Sequence, residues 1–332
     1  MSRVVLHIGT HKTGTTAVQQ VLNANRLLLA DQGIQYPDFG TGADHHGLLR
    51  QWLPKLPSRY DLPEEPDKIL ADLNAQFSQT NATVVLSSEE FSRGAPKHRV
   101  NLSHIRELLR DFVSIEVICT LRPQLTYLQS IFAEMARRGD IRHWDTFFQN
   151  SVTSDYASGL FLDFNGLDDH LLKSFSPSEI TYLDYDSLRR QPGGTPSAIL
   201  QHLGYQGALE DLVWPFGGEV NSSNPQLAIW ITAKILQSRT ADFQLFPIVQ
   251  SALDAHFGPN RPTTLYTRQQ QKFCLTKFEP LNEVFRSRLA ARSSAVPALK
   301  MTEMGEDMVF RDMLPTQFWL NLARGLYEKI PT

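Results

Sequence analysis

Leu6-His7-Ile8-Gly9-Thr10-His11-Lys12-Thr13-Gly14-Thr15-Thr16, running on from Val4 and Val5, decides the reading of this 332-residue chain. The apolar, β-branched run from Val4 to Ile8 reads as a buried strand. Two glycines, Gly9 and Gly14, then bracket a turn. A helix opens behind it, with Val18, Val21, Leu22, Leu28 and Leu29 on one face and Gly33 as the expected stop. Strand, glycine turn and helix N-terminus together form a setting in which backbone N–H groups gather around an anion.

The nucleotide-binding P-loop has the form G-x-x-x-x-G-K-S/T. Gly9, Gly14 and Thr16 hold three of those places, but Thr15 stands where the lysine belongs and Lys12 sits inside the loop. A phosphate can still be cradled, with the ammonium aimed differently from that of an ATPase. This displacement resembles the 5′-phosphosulfate loop of sulfotransferases that use 3′-phosphoadenosine 5′-phosphosulfate (PAPS). There a lysine, a small residue, a glycine and two threonines directly follow the first strand, as Lys12-Thr13-Gly14-Thr15-Thr16 do here. The resemblance implies Thr10, His11, Lys12, Thr13, Gly14, Thr15 and Thr16 as donor contacts, with Lys12 also serving the chemistry.

A second stretch supports it. Cys119-Thr120-Leu121-Arg122-Pro123 ends another apolar strand, and Ser130 lies eight residues after Arg122 on the helix that follows. In the family such an arginine and serine hold the 3′-phosphate, and a bidentate guanidinium suits that dianion. Taken alone, these residues read better as an arginine capping a strand end and a serine on a solvated helix face; together with the first loop, at the right strand order and distance, they read as a binding pair. A looser echo is Tyr182-Leu183-Asp184-Tyr185, followed by Pro192 and Leu203-Gly204, where Tyr185 is either a nucleotide contact or packing. The family's arginine–lysine–glycine loop near the C-terminus is not found, and Ser222, within Val220–Pro225, is the candidate to replace it. The resemblance is specific over about residues 4–33 and 115–136, diffuse over 180–205 and absent beyond about 240.

Sulfuryl transfer needs a general base for the acceptor. Glu89 follows the apolar strand Ala82–Ser87, at the place where cytosolic members of the family carry a histidine and carbohydrate sulfotransferases often a glutamate. Glu90 is adjacent and is expected to point the other way. His46 and His45, in the excursion after the first helix, are the other candidates. The ten histidines lack metal-ligand spacing, so no metal is expected.

The rest of the chain alternates strands and helices. Strands are expected at 82–87, 115–121 and 180–185. Helices are expected at 66–79, 102–112, from about 124, and at 198–203 with Gly204 as cap, and a short helix around 48–53. This is an α/β pattern: a parallel sheet between helix layers, a P-loop-like fold, with a mostly helical part over 224–332. Ligands in such sheets sit beyond the C-terminal strand ends, where Lys12, Glu89 and Arg122 all fall. One domain spanning 1–332 is expected, with 37–66 and 139–169 as acceptor-side excursions. Their aromatics Trp52, Tyr60, Trp144, Phe147, Phe148 and Tyr156 read either as a stacking surface or as loop packing.

A net charge of −3 gives no global attraction to nucleic acid. Two cysteines exclude a disulfide scaffold, and no apolar run is long enough to span a membrane. A cytoplasmic, bacterial enzyme is expected. The resemblance implies transfer from PAPS to a hydroxyl or amine of a small-molecule or glycan acceptor, either a carbohydrate or a glycolipid. The alternatives are a P-loop kinase, which needs a lysine at position 15 and a Mg²⁺-binding aspartate, and a non-catalytic module for nucleotide or anionic glycan.

Overall fold

The computed structural model describes residues 1–94, 99–139, 143–215, 225–236 and 245–328. These residues form two compact units, one made of Met1–Arg122, Ser158–Val220 and Leu281–Leu299, the other of Pro123–Ala157, Asn221–Pro280 and Lys300–Thr332.

The first unit is built on a five-stranded, wholly parallel sheet. Its strands are β1 (Arg3–His7), β2 (Ile34–Gln35), β3 (Thr83–Ser87), β4 (Ser114–Leu121) and β5 (Ile180–Asp184), in the order β2-β3-β1-β4-β5. Register pairs His7 with Ser87 on one side and with Ile118 on the other, so the chain leaves β1, β3 and β4 at one end of the sheet. The path runs from β1 to β2 and β3 on one side, then crosses to β4 on the other. That reversal opens the crevice beyond the central strand's C-terminal end.

Helix α1 (Thr15–Ala24) lays Val18, Val21 and Leu22 against Val5, Val85 and Ile118 on one face of the sheet, together with Ile199, Leu200 and Leu203. Each such side chain, fully withdrawn from water, contributes about 1.5–3 kcal/mol. The expected single helix to Gly33 is broken. Asn25 leaves helical geometry, and its amide donates to the carbonyls of Val21 and Val213 while accepting from the Val213 N–H. A side chain that clamps a segment 188 residues away ends α1, and α2 (Arg26–Asp31) starts afresh. Gly33 does adopt positive φ, and the two-residue β2 behind it is too short to read from sequence.

α3 (Pro66–Phe77) and α4 (Leu102–Leu108) carry the connections to β3 and β4. In place of the expected helix at 48–53 there is one 3₁₀ turn, His46–Leu49. Further along the chain come α5 (Gln124–Arg137), α6 (Trp144–Ser154), α7 (Phe164–Leu171), α8 (Tyr185–Leu188) and α9 (Gly194–Leu203). The stretch 139–169, expected as a long loop, therefore carries all of α6 and the start of α7. Gly204 caps α9 in the left-handed region, as expected. Tyr185 does not end a strand. Asp184 accepts from the Ser187 N–H as an N-cap, so the chain turns into α8 at Tyr185.

The second unit is helical, with α5, α6, α10 (Gln226–Leu236), α11 (Phe246–Phe257), the first half of α12 (Arg268–Ala291) and α13 (Thr316–Tyr327). Its core centres on Trp144, whose ring meets those of Phe132 at 5.2 Å and Tyr266 at 5.1 Å edge to face. No helix among the described residues is long and apolar enough to cross a membrane.

Candidate active site

The loop from Gly9 to Gly14 is held in one shape by its own polar groups. The Thr10 N–H donates to the Thr120 carbonyl at 2.8 Å, which extends the β1–β4 ladder past the strand end. The Thr10 hydroxyl donates to the same carbonyl, the Thr13 hydroxyl to the Thr10 carbonyl, and Cys119 Sγ to the Gly9 carbonyl at 3.1 Å. Gly9, Lys12 and Gly14 all have positive φ. A Cβ on Gly9 would lie 2.3 Å from Thr15 Cγ2, so only glycine fits there.

Gly14 is the N-cap of α1 and offers no side chain to that helix's first N–H groups. Those groups, with the positive end of the helix dipole, face whatever the loop encloses. Around them stand Lys12, half-buried, and Arg122, whose Nη1 donates to the Lys12 carbonyl at 3.1 Å and whose guanidinium lies 5.1 Å over the Tyr185 ring. Tyr185 and Thr195 flank Gly14: a Cβ there would sit 3.6 Å from Tyr185 Cε2 and 3.2 Å from Thr195 Oγ1. A glycine cradle, an uncapped helix start and two cations fit an anion.

The end of β3 brings the acid side. Ser88 caps a 3₁₀ turn, Glu89–Ser92, so Glu89 and Glu90 diverge as on a helix instead of alternating as on a strand. Both therefore reach the first loop. Glu89 Cβ lies 3.7 Å from a Cβ built on Gly9, and Glu90 Oε1 lies 3.2 Å from His11 Nε2. Glu90 is also paired with Arg93 through two hydrogen bonds. Burial pushes the Glu90 carboxyl up, but His11 and Arg93 outweigh it and hold it far below the usual range. Glu90 is thus an anchored anion.

Glu89 is held less tightly. Its Oε2 accepts from Gln19 Nε2 at 3.0 Å, and its Oε1 faces His46 Nε2 at 3.9 Å. Burial works to raise its pKa, yet the neighbouring His46 and His11, aided by the Gln19 hydrogen bond, keep it below the ordinary carboxylate value. His46 Nδ1 lies 2.7 Å from Ser88 Oγ, which itself accepts from the Glu90 N–H. His46 Nδ1 also lies 3.5 Å from Asp44 Oδ1, so the imidazole stands between two carboxylates, Asp44 at Nδ1 and Glu89 at Nε2.

His45 stands apart from the chemistry. Its Nδ1 accepts from the Ser87 N–H, its Nε2 lies 3.0 Å from the Pro37 carbonyl, and the ring stacks on Tyr36. Burial drives its pKa down to about 3, so it is a neutral, structural group. Among the described residues no cluster of three His, Cys, Asp or Glu side chains is placed to hold a metal ion.

Lys12, His11, Gly14, Thr15, Glu89, His46, Arg122 and Tyr185 are thus gathered in the first unit. The family model described as Sulfotransferase family matches residues 5–211, which include all of them. The chain belongs to the sulfotransferase family.

A sulfotransferase from Alicyclobacillus acidocaldarius, known from its crystal structure, is similar at 13% identity with a TM-score of 0.40, over 77% of this chain and 96% of that one. No curated protein sequence matches the chain.

The remaining expected site residues of this sulfotransferase fall out as follows. Thr16 is exposed on the first turn of α1. Ser130 lies on α5 in the other unit, and its hydroxyl proton is used on the Thr126 carbonyl at 2.9 Å. Ser222 lies outside the described residues. Of the excursion aromatics, Trp144 and Phe148 are buried core, whereas Tyr60 packs at 5.0 Å on the His46 ring.

Sequence reading overlooked Gln19, Ser88, Arg93 and Thr195. Only Gln19 left a signal, as a polar residue at an inward position between Val18 and Val21.

Proposed function

We propose that this sulfotransferase moves a sulfuryl group from PAPS to a hydroxyl or amine of a small-molecule acceptor, a carbohydrate or glycolipid. The observation that carries the reading is the placing of Glu89, ionised and half-enclosed, directly against the glycine cradle that holds Lys12. Donor loop and proton acceptor are thereby neighbours across two adjacent strands, β1 and β3.

PAPS, when bound, supplies an activated sulfuryl group on a phosphate leaving group. The chain's residues then divide the work. The N–H groups at the start of α1, with Lys12, hold the 5′ end and stabilise the negative charge that grows on the leaving oxygen. Arg122 binds the 3′-phosphate, and its reach over Tyr185 supports this role. Glu89 takes the proton of the acceptor. His46, set between the carboxylates of Asp44 and Glu89, suits a group that orients and charges the base. Glu90, tied to His11 and Arg93, stiffens the loop.

The acceptor side is assigned to the excursion 37–66. Leu53, Lys55 and Leu56 from it join Glu90 and Arg93 around a cavity of about 210 Å³. Its mix of apolar wall and charged rim suits the faces and hydroxyls of a sugar.

Turnover of labelled PAPS against a panel of hydroxyl acceptors tests the reading, with a thermal-shift titration beside it. The nucleotide product PAP at about 100 times its Kd is expected to add about 2.7 kcal/mol of stability. ATP with Mg²⁺ is expected to add much less. Equal responses to the two nucleotides, or PAP binding without turnover of any acceptor, would overturn it.

A further inference from the structure

The inward stripe of α1 reads Thr15, Val18, Gln19, Val21 and Leu22, and Gln19 is 4% exposed. A buried primary amide costs free energy unless it is hydrogen-bonded, and the pattern of this stripe calls for an apolar residue. The amide's partner is the carboxylate at the site: Gln19 Nε2 donates to Glu89 Oε2 at 3.0 Å. The two oxygens of Glu89 are therefore in different situations. Oε2 is engaged from the helix side, while Oε1 is the one turned toward His46.

We propose that Gln19 is the positioning residue of the base: by engaging Oε2 it fixes the carboxylate plane and makes Oε1 the atom that takes the acceptor's proton. The proposal rests on the reading of Glu89 as base. Gln19 also links two parts of the site mechanically. It lies five residues after Gly14, so it rides on the same helix whose N-terminus closes the donor loop. A helix is stiff over such a span of roughly 7 Å. Any shift of α1 on filling the donor loop is therefore passed to the carboxylate through one hydrogen bond. A donor to a carboxylate also favours its charged form, in keeping with a Glu89 that stays ionised though enclosed.

The test is to titrate Glu89 by ¹³C NMR, with the signal assigned by its loss in Glu89→Gln, and to measure kcat/KM against pH in the same proteins. Gln19→Met keeps length and removes the donor, and Gln19→Glu replaces the donor with a second carboxylate. In Gln19→Met the Glu89 pKa is expected to rise by about half a unit or more, and the acid limb of the pH profile to move with it. Gln19→Glu is expected to move both further, because two adjacent carboxylates resist double ionisation. PAP affinity is expected to stay within roughly twofold, which shows an intact donor site.

An unmoved Glu89 titration in a PAP-binding Gln19→Met protein overturns the proposal. A titration that moves while the acid limb stays fixed overturns Glu89 as the base, and the positioning role falls with it. Should Gln19→Met not fold, Gln19→Asn, which withdraws the amide by one methylene, is read in the same way.

Discussion

Arg122 Nη1 donates to the carbonyl of Lys12 at 3.1 Å, joining the end of β4 to the left-handed residue at the middle of the β1 loop. The strand-end arginine thus serves the loop's shape as well as its charge. The Tyr185 ring beneath its guanidinium limits the planes it can adopt.

This double duty shapes what Arg122→Ala does. Affinity for PAP is expected to fall by about 2–5 kcal/mol, the range for leaving a desolvated charge without its partner. Adenosine 5′-phosphosulfate, which lacks the 3′-phosphate, is expected to lose part of its affinity too, because the loop is unclipped. Calorimetry with both ligands separates the two duties. The difference between the losses measures the contact to the 3′-phosphate, and equal losses would confine Arg122 to the loop.

Glu89→Gln keeps the side chain's size and removes the proton acceptor. kcat is expected to drop by about 10²–10⁴ with PAP affinity nearly unchanged. His46→Ala is expected to act through Glu89: with the imidazole gone, burial is less opposed and the carboxyl pKa rises, so the acid limb moves to higher pH. Were His46 the base, its alanine variant would lose turnover across all pH and Glu89→Gln would retain it. Stopped assays between pH 4 and 8 decide between them.

Gly9→Ala places a methyl group 2.3 Å from Thr15 Cγ2 on a backbone with φ of +46°. Strain of this kind costs about 1–3 kcal/mol and is expected to weaken PAP binding through the loop. Thr15→Ser removes the opposing methyl. In a double-mutant cycle it is expected to restore part of the stability lost in Gly9→Ala, leaving only the backbone contribution. Strict additivity in chemical denaturation would show that the two side chains do not meet.

Three buried histidines make the fold acid-sensitive. Burial lowers His7 and His170 to about 4 and His45 to about 3, so all three are neutral when folded. Between about pH 6.5 and 4 the unfolded chain binds protons that the folded chain does not. Their stabilisation is therefore complete above the unfolded pKa and drains as pH falls, by about 1.4 kcal/mol per unit and per histidine. Urea titrations at pH 7 and 5.5 measure the slope. His45→Gln is expected to flatten it by one proton; an unchanged slope would mean that His45 carries no part of it.

The sequence by itself determined the local elements of this sulfotransferase. Val4–Ile8, the glycine pair and the stripe Val18, Val21, Leu22 specify strand, turn and helix because side-chain periodicity and glycine's access to positive φ act within a few residues. Those local signals also set Lys12, Glu89 and Arg122 at strand ends, and alternation of strands with helices made the sheet parallel. Only the tertiary structure decided what those ends do to one another. That Glu89 and Glu90 both reach the first loop follows from the 3₁₀ turn capped by Ser88. That α1 stops at Asn25 follows from a partner at Val213, and that His45 is spent on packing follows from Ser87, Pro37 and Tyr36. Each depends on hydrogen bonds between segments brought together by the sheet register, and a hydrogen bond leaves no periodic trace in the sequence that makes it.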